Sequence, residues 1–269
     1  MGEPDVPAAL GAAAFFDLDK TTIADAALFA FGSTLRDAGL INTRLILRSL
    51  WGRAVFKYLG ADHGRMEDMR NNALKLCTGW DQQHVSDLVT EALEDVIDPI
   101  VYQEALDEIA AHKAAGHMVF MVSASPEEVV VPLSKYIGAD GAVATIAETD
   151  RNGKYTGGVD FYSYGPYKVD AMEAFALEHD LDLNECYAYT DSITDLPMLE
   201  AVGYPIVVNP DRSLARVAEE RGWEIRSFST TTPLDRANDQ VRVGAIAAGA
   251  GALATGAGLY LRSRAKRNV

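Results

Sequence analysis

The sequence predicts an α/β fold: a Rossmann-like parallel sheet flanked by helices, with an all-helical insertion. Two observations predict it. Short, continuous apolar segments alternate with helix-compatible segments, which is typical of βαβ units whose parallel strands are buried on both faces. The alternation stops once, between residues 26 and 116, where long segments repeat apolar residues at intervals of three and four and no convincing strand occurs.

Five apolar segments are the expected strands of the sheet. They lie at 12–16, 117–122, 142–149, 186–190 and 205–209. Helices are predicted at 127–137, 168–179 and 195–202, as right-handed crossovers between parallel strands. The segment RNGKYTGGVD has Asn152 and Gly153 between β-type residues, which predicts a small antiparallel hairpin in the same region.

The interruption of the alternation divides the chain into domains. We expect a core made of residues 12–25 and 112–235, and a helical cap made of residues 26–111. Gly and Pro mark the ends of the helical segments in the cap. A C-terminal apolar helix is expected at residues 241–262.

The composition excludes several classes of partner and compartment. A net charge of -15 and a sequence pI of about 4.7 repel nucleic-acid phosphates, so we expect no nucleic-acid partner. Cys77 and Cys186 lie far apart, without a CxxC motif or a histidine-rich neighbourhood. This usage indicates a reduced cytosolic compartment, with both thiols buried. The N-terminal residues lack the basic and apolar regions of a secretion signal, which also favours a cytoplasmic location.

Polar side chains follow three of the predicted strands, where ligands bind in sheets of this type. They are Asp17 and Asp19 after the first strand, Ser123 and Ser125 after the second, and Asp191 and Asp195 after the strand at 186–190. Lys168 supplies one cation at the start of a predicted helix. Converging carboxylates would repel one another unless a divalent cation lay between them, and oxygen ligands favour Mg²⁺ over zinc.

Each of these residues also has a simpler interpretation when taken alone. Asp or Thr after a strand can cap a helix, Ser123 can cap the helix that follows it, and Lys168 can be a surface lysine. An EF-hand is excluded, because its loop requires Gly at the sixth position and Glu at the twelfth, where the chain has Thr22 and Leu28. The common placement at strand ends, in this order, favours a single site.

These motifs resemble those of the haloacid dehalogenase (HAD) superfamily of phosphohydrolases, in the phosphoserine phosphatase-like branch, subfamily IB. The resemblance covers roughly residues 12–228, and the helical insertion matches the cap position of that branch. The four motifs appear here as Asp17-Leu18-Asp19-Lys20-Thr21, Ser123, Lys168 and Asp191-Ser-Ile-Thr-Asp195.

The resemblance implies a magnesium-dependent phosphomonoester hydrolase. It implies that Asp17 is the nucleophile, which forms an aspartyl-phosphate, and that Asp19 is the general acid and base. Mg²⁺ would be held by the Asp17 carboxylate, the Asp19 carbonyl and Asp191. Phosphate would be held by Ser123, Lys168 and Thr21. Thr21 would also tie the turn and assist Asp19, and Asp195 would orient Lys168 or a metal-bound water.

The substrate is expected to be selected by the cap. Phosphoserine phosphatases are expected to carry a glutamate about nine residues after the nucleophile, and this chain has Ala26 there. Cap candidates for substrate contact are Arg65, Arg70, Asn72 and Trp80. Phosphoserine phosphatase activity, transfer of the phosphoryl group to an alcohol, and a non-catalytic, membrane-tethered phosphate-binding protein are alternative functions.

The uncharged segment from Val243 to Leu261, followed by RSRAKR, gives a second indication about the substrate. Its length and small-residue spacing permit a spanning helix, and its basic end permits an interfacial one on anionic lipid. A disordered tail is the alternative. Membrane association would anchor a cytoplasmic protein to the inner face of the membrane and favour a lipid-derived phosphomonoester. Without membrane association, we expect the substrate to be a small soluble metabolite.

Overall fold

A computed structural model describes residues 11–41 and 74–231. The strands within these ranges are β1 (Ala13–Asp17), β2 (Met118–Pro126), β3 (Gly141–Thr149), β4 (Tyr155–Phe161), β5 (Tyr187–Thr190), β6 (Tyr204–Val208) and β7 (Glu224–Arg226). They form one sheet in the order β4-β3-β2-β1-β5-β6-β7. Every pairing is parallel except that of β4 with β3, which is the predicted antiparallel hairpin.

Helices cover both faces of this sheet. The α-helices that lie wholly within the described ranges are α1 (Ala27–Ala30), α2 (Gly32–Asp37), α3 (Gln82–Ile97), α4 (Gln103–Ala114), α5 (Glu127–Tyr136), α6 (Pro166–Glu178), α7 (Leu196–Glu200) and α8 (Arg212–Arg221). The predicted fold class, a mostly parallel sheet flanked by helices, is confirmed. The predicted C-terminal helix at 241–262 lies outside the described residues.

The central strand β1 shows why the sheet is buried on both faces. All five of its residues are buried, and successive side chains point to opposite faces of a strand. Phe15 lies in one apolar core with helices α6, α7 and α8, while Phe16 lies in a second core with α3, α4 and α5. A strand between two helical layers needs apolar residues at every position, as the continuous apolar run predicts.

Helix α4 belongs to the packing of the sheet. Its residues Ala105, Leu106 and Ile109 are buried in the same core as Phe16 and Val119. The predicted cap boundary at residue 111 therefore falls inside a helix whose apolar face packs on β1 and β2. Residues 42–73 of the predicted cap lie outside the described residues, so the division of the chain into core and cap stays a prediction.

The strand β2 is longer than predicted, and the difference matters for the site. It continues in extended conformation through Ser123 and Ser125 to Pro126, with a register shift against β3 after Val122. The two serines therefore lie on the strand itself. Both serines lie beyond Val122, the residue of β2 that pairs with Asp17 at the end of β1.

The described residues contain no helix that combines the length and the apolar character needed to cross a membrane.

Candidate active site

Lys168 joins two of the predicted acidic residues. Its Nζ donates to Oδ1 of Asp17 at 2.7 Å and to Oδ2 of Asp195 at 2.7 Å. Lys168 lies in the first turn of α6, which begins at Pro166 after Gly165, whose φ is positive (55°). All three charged side chains are buried, with Lys168 only 2% exposed. Residues far apart in the sequence therefore converge at the carboxyl end of the parallel strands.

Asp195 is held from a second direction as well. The Thr190 hydroxyl donates to Oδ2 of Asp195 at 2.9 Å, the same oxygen that Lys168 contacts. Of the two roles expected for Asp195, orienting Lys168 is the one that these contacts favour. Thr190 is fully buried at the end of β5 and was not among the candidates from the sequence.

The turn after β1 has a local cause. Lys20 adopts a left-handed conformation (φ 61°), and the Thr22 and Ile23 amides both donate to the Leu18 carbonyl. The Thr22 hydroxyl donates to the Asp17 carbonyl oxygen at 2.7 Å. Thr22 therefore stabilises the turn, a role that the resemblance had assigned to Thr21.

Thr21 is fully buried, and its Oγ1 has no hydrogen-bond partner among the residues that the structure describes. A buried hydroxyl without a partner is costly to desolvate. An incoming acceptor beside the turn, such as a phosphate oxygen, would satisfy it. The expected phosphate-binding role of Thr21 stays a prediction.

Asp19 points toward the start of the predicted cap. Its Oδ1 accepts a hydrogen bond from the Ala27 amide at 2.7 Å, at the first residue of α1, and its Oδ2 accepts one from the Ser125 hydroxyl at 3.3 Å. The Ser125 amide in turn donates to Oγ of Ser123 at 3.1 Å. Ser125 thus links the general-acid candidate to the phosphate-binding candidate. The S-A-S spacing on one strand was the sequence signal for it.

Asp191 follows β5 and is held by its neighbours in the loop. Its carbonyl oxygen accepts a hydrogen bond from the Asp211 amide at 2.8 Å, and the Asp211 carboxylate accepts one from the Ile193 amide at 2.9 Å. Burial raises the pKa of Asp191 to about 6, with Lys20 opposing the rise and the Asp195 and Asp211 charges adding to it.

The described part of the site carries more negative than positive charge. Burial raises the pKa of Asp17, and Lys168 opposes that rise. Burial also raises the pKa of Asp19, against the hydrogen bond from Ala27. A cation near Asp17 and Asp191 would stabilise their charged forms.

The donor atoms are all oxygens, so the residues fit a magnesium ion. No three Asp, Glu, His or Cys side chains within 11–41 and 74–231 converge closely enough to hold a metal alone. Asp17 and Asp191 would therefore need a main-chain oxygen, such as the Asp19 carbonyl, and substrate oxygens as further ligands.

The cap candidates are not brought to this site by the described structure. Arg65, Arg70 and Asn72 lie outside the described residues. Trp80 is half-buried and packs against the apolar cluster of Val85, Ala147 and Tyr155. Its packing is explained without a substrate.

Comparison with known proteins agrees with this geometry. The family model described as haloacid dehalogenase-like hydrolase matches residues 14–200, which include Asp17, Ser123, Lys168 and Asp191. A probable phosphatase of Mycobacterium tuberculosis is 47% identical over 252 residues, which cover 92% of this chain and 88% of that protein.

Two further proteins are similar over most of their length. A phosphoserine phosphatase of M. tuberculosis is 33% identical over 224 residues, covering 82% of this chain and 72% of that protein. A crystal structure of a Bordetella pertussis protein of unknown function is 28% identical, with a TM-score of 0.68, and the match covers 80% of this chain and 98% of that one. The chain belongs to the haloacid dehalogenase-like hydrolase family.

Proposed function

We propose that this protein is a magnesium-dependent phosphomonoester hydrolase that works through an aspartyl-phosphate on Asp17. The observation that carries the proposal is the contact of Lys168 with both Asp17 and Asp195 at 2.7 Å. A buried lysine paired with two buried carboxylates leaves an anionic nucleophile beside a cation that can bind phosphate oxygens. The Ser123 hydroxyl, on β2 one residue beyond the pairing of Val122 with Asp17, adds a donor for the same group.

In the first step, an Asp17 carboxylate oxygen attacks phosphorus, and the bond from phosphorus to the ester oxygen breaks. Lys168 and Ser123 hold the non-bridging oxygens while charge shifts onto them. The leaving oxygen takes a proton from Asp19. The raised pKa of Asp19 suits this role, because it keeps a larger fraction of the carboxyl group protonated.

In the second step, water attacks the phosphoryl group and gives its proton to Asp19, and the bond from phosphorus to Asp17 breaks. Inorganic phosphate leaves and the Asp17 carboxylate is restored. Mg²⁺, held by Asp17, Asp191 and the Asp19 carbonyl, would supply charge neutralisation for the phosphoryl oxygens.

The substrate class that we propose is a small or lipid-derived phosphomonoester. Phosphoserine is the alternative that the name of one relative suggests, and Ala26, in place of the expected glutamate, weighs against it. The lipid-derived class depends on the predicted membrane association of residues 241–262, which lie outside the described structure. Transfer to an alcohol acceptor would use the same first step.

The test is phosphate release from a panel of phosphoserine, sugar phosphates, glycerol phosphate and lysophosphatidic acid, with Mg²⁺ or with EDTA. Asp17→Asn should abolish turnover, and the matched variant Asp37→Asn, in the exposed pair with Arg36, should leave it unchanged. Turnover that persists in EDTA or in Asp17→Asn would contradict the proposal. A folded protein that binds phosphate but turns over no panel member would favour the phosphate-binding alternative.

A further inference from the structure

We infer that the segment after β7 is a positioning element of this active site, which joins the turn after the nucleophile to the loop of the candidate metal ligand. Residues 227–231, which we call the strap, run from the end of β7 to the start of α4. The side chains of Asn209 and Glu104 fasten the strap at its two ends. This inference rests on the proposed binding of Mg²⁺ by Asp17 and Asp191.

Asn209 fastens the strap near its first residue. It follows β6 in a left-handed conformation (φ 44°), which asparagine tolerates better than most residues. Its Nδ2 donates to the Phe228 carbonyl at 2.8 Å, and the Phe228 amide donates to its Oδ1 at 3.0 Å. The Phe228 side chain is buried in the same apolar core as Phe16. The strap therefore begins at a fixed point of the core.

Glu104 fastens the other end of the strap. It lies in the first turn of α4, and its Oε1 accepts hydrogen bonds from the Ser229 amide at 3.1 Å and the Thr230 amide at 3.0 Å. Hydrogen bonds to a charged acceptor are stronger than those between neutral groups. The Gln103 amide donates to the Thr230 carbonyl at 2.8 Å, so the main chain of α4 holds the strap as well.

The strap reaches the nucleophile through Tyr102. Tyr102 forms an antiparallel bridge with Thr231 of the strap, and its ring packs edge-to-face on Phe228, with centroids 6.2 Å apart. The Tyr102 amide donates to the Thr22 carbonyl at 3.0 Å, and the Thr22 hydroxyl donates to the Asp17 carbonyl at 2.7 Å. A shift of the strap would therefore be passed through these hydrogen bonds to the main chain of Asp17.

The strap reaches the candidate metal ligand through Asn209. Two residues further on, the Asp211 amide donates to the Asp191 carbonyl at 2.8 Å, and the Asp211 carboxylate accepts from the Ile193 amide at 2.9 Å. The ladder between β1 and β5 aligns the two strands, and the strap joins the loops that follow them. Mg²⁺ demands near-ideal octahedral geometry, so a small change in the spacing of Asp17 and Asp191 should weaken its binding.

The experiment compares Mg²⁺ binding by Asn209→Gly and Asp180→Gly, measured by calorimetry with inorganic phosphate present, below the melting onset of every variant. Glycine at position 209 permits the left-handed conformation and removes both side-chain hydrogen bonds to the strap. Asp180 is an exposed residue with φ 52° before β5, at the edge of the sheet opposite the site, where its carbonyl accepts from the Gly11 amide. We expect Asn209→Gly to weaken Mg²⁺ binding about three- to tenfold, and Asp180→Gly to match wild type.

Glu104→Ala releases the strap at its other end and tests the same link independently. Its control is Asp107→Ala, an exposed residue of α4 that contacts the Gln103 side chain and not the strap. Glu104→Ala should weaken Mg²⁺ binding as Asn209→Gly does, and Asp107→Ala should not. Because either release frees the strap, the double variant should bind Mg²⁺ no more weakly than the weaker single variant.

Wild-type Mg²⁺ affinity in Asn209→Gly or in Glu104→Ala would overturn the inference, and so would additive losses of affinity in the double variant. A strap that only adds stability would lower the melting temperature of these variants and leave their Mg²⁺ affinity unchanged. Because Mg²⁺ binding does not require turnover, weakened binding supports the inference even where hydrolysis is not found. Failure of the wild type to bind Mg²⁺ would overturn both proposals.

Discussion

The Phe16 and Tyr189 rings are stacked almost parallel, 4.1 Å apart with an interplanar angle of 4°. Phe16 immediately precedes Asp17 on β1, and Tyr189 lies two residues before Asp191 on the adjacent β5. The stack therefore joins β1, which ends at the proposed nucleophile Asp17, to β5, which is followed by the candidate metal ligand Asp191. The Tyr189 hydroxyl lies 2.8 Å from Nε2 of His112 and donates to Glu108 at 3.2 Å, so α4 supports this pair from behind.

Removal of the Tyr189 hydroxyl should lower stability without much change in catalysis. Tyr189→Phe keeps the stack and leaves the buried His112 without this partner, which costs about 1–3 kcal/mol of unfolding free energy. Urea denaturation measures this loss. Tyr204→Phe is the control, since its exposed hydroxyl makes only a 3.4 Å contact with Glu185. Equal stability of the two variants would show that the Tyr189 hydroxyl contributes nothing.

His112 should make stability depend on pH. Burial, together with the neighbouring His117, lowers the pKa of His112 from an ordinary value of 6.5 to about 4. Between pH 4 and pH 6.5 the unfolded chain binds more protons at this histidine than the folded protein does. The stabilisation of the folded protein by a neutral His112 is therefore complete above pH 6.5, and the unfolding free energy decreases as the pH falls toward 4. In His112→Gln the unfolding free energy, measured by denaturant titration, should fall less steeply between pH 6.5 and 4.5 than in wild type. Parallel pH profiles for the two proteins would contradict the assignment.

Lys168 should be essential to activity. Lys168→Gln removes the cation between Asp17 and Asp195, so we expect kcat to fall about a hundredfold or more. Without the lysine, burial and the Asp195 charge raise the pKa of Asp17 unopposed by this cation, so the variant should regain stability as the pH falls below 7 and Asp17 takes up a proton. Lys113→Gln, in a half-exposed pair with Asp140, should cost less than about 1 kcal/mol and leave kcat unchanged. A Lys168→Gln enzyme with near-wild-type kcat would refute this role.

Two neighbouring threonines should differ in stability. Thr22→Val removes the hydrogen bond to the Asp17 carbonyl and should cost about 1 kcal/mol of unfolding free energy. Thr21→Val replaces a buried hydroxyl that has no partner within the described structure, so it should be neutral or stabilising. Thermal unfolding of the two variants, which have the same composition, makes the comparison. A larger loss for Thr21→Val would reverse the assignment of the turn.

The strands were predictable from the sequence because their burial on both faces requires continuous apolar runs, as β1 shows. The approach of Asp17 and Asp195, which both contact Lys168, was predictable because parallel strands direct their carboxyl ends to one edge. The short edge strand β7 was not predicted, because two of its three residues, Glu224 and Arg226, are charged and no continuous apolar run marks the strand.

Contacts that depend on the direction of one side chain could not be predicted. Whether Thr21 or Thr22 donates a hydrogen bond to the Asp17 carbonyl depends on the left-handed conformation of Lys20, which sets the direction of the turn. Helix α4 carries a helical pattern like that of the predicted cap, and only its packing against β1 and β2 assigns it to the sheet.

The most direct test of the central claim is a search for the aspartyl-phosphate itself. Wild type would be mixed with its best substrate and Mg²⁺, quenched in acid within one turnover, digested and analysed by mass spectrometry. We predict one phosphoryl group on the peptide that contains Asp17, absent from Asp17→Asn and lost on treatment with base. Rapid hydrolysis with no phosphorylated peptide, or phosphorylation at another residue, would contradict the account.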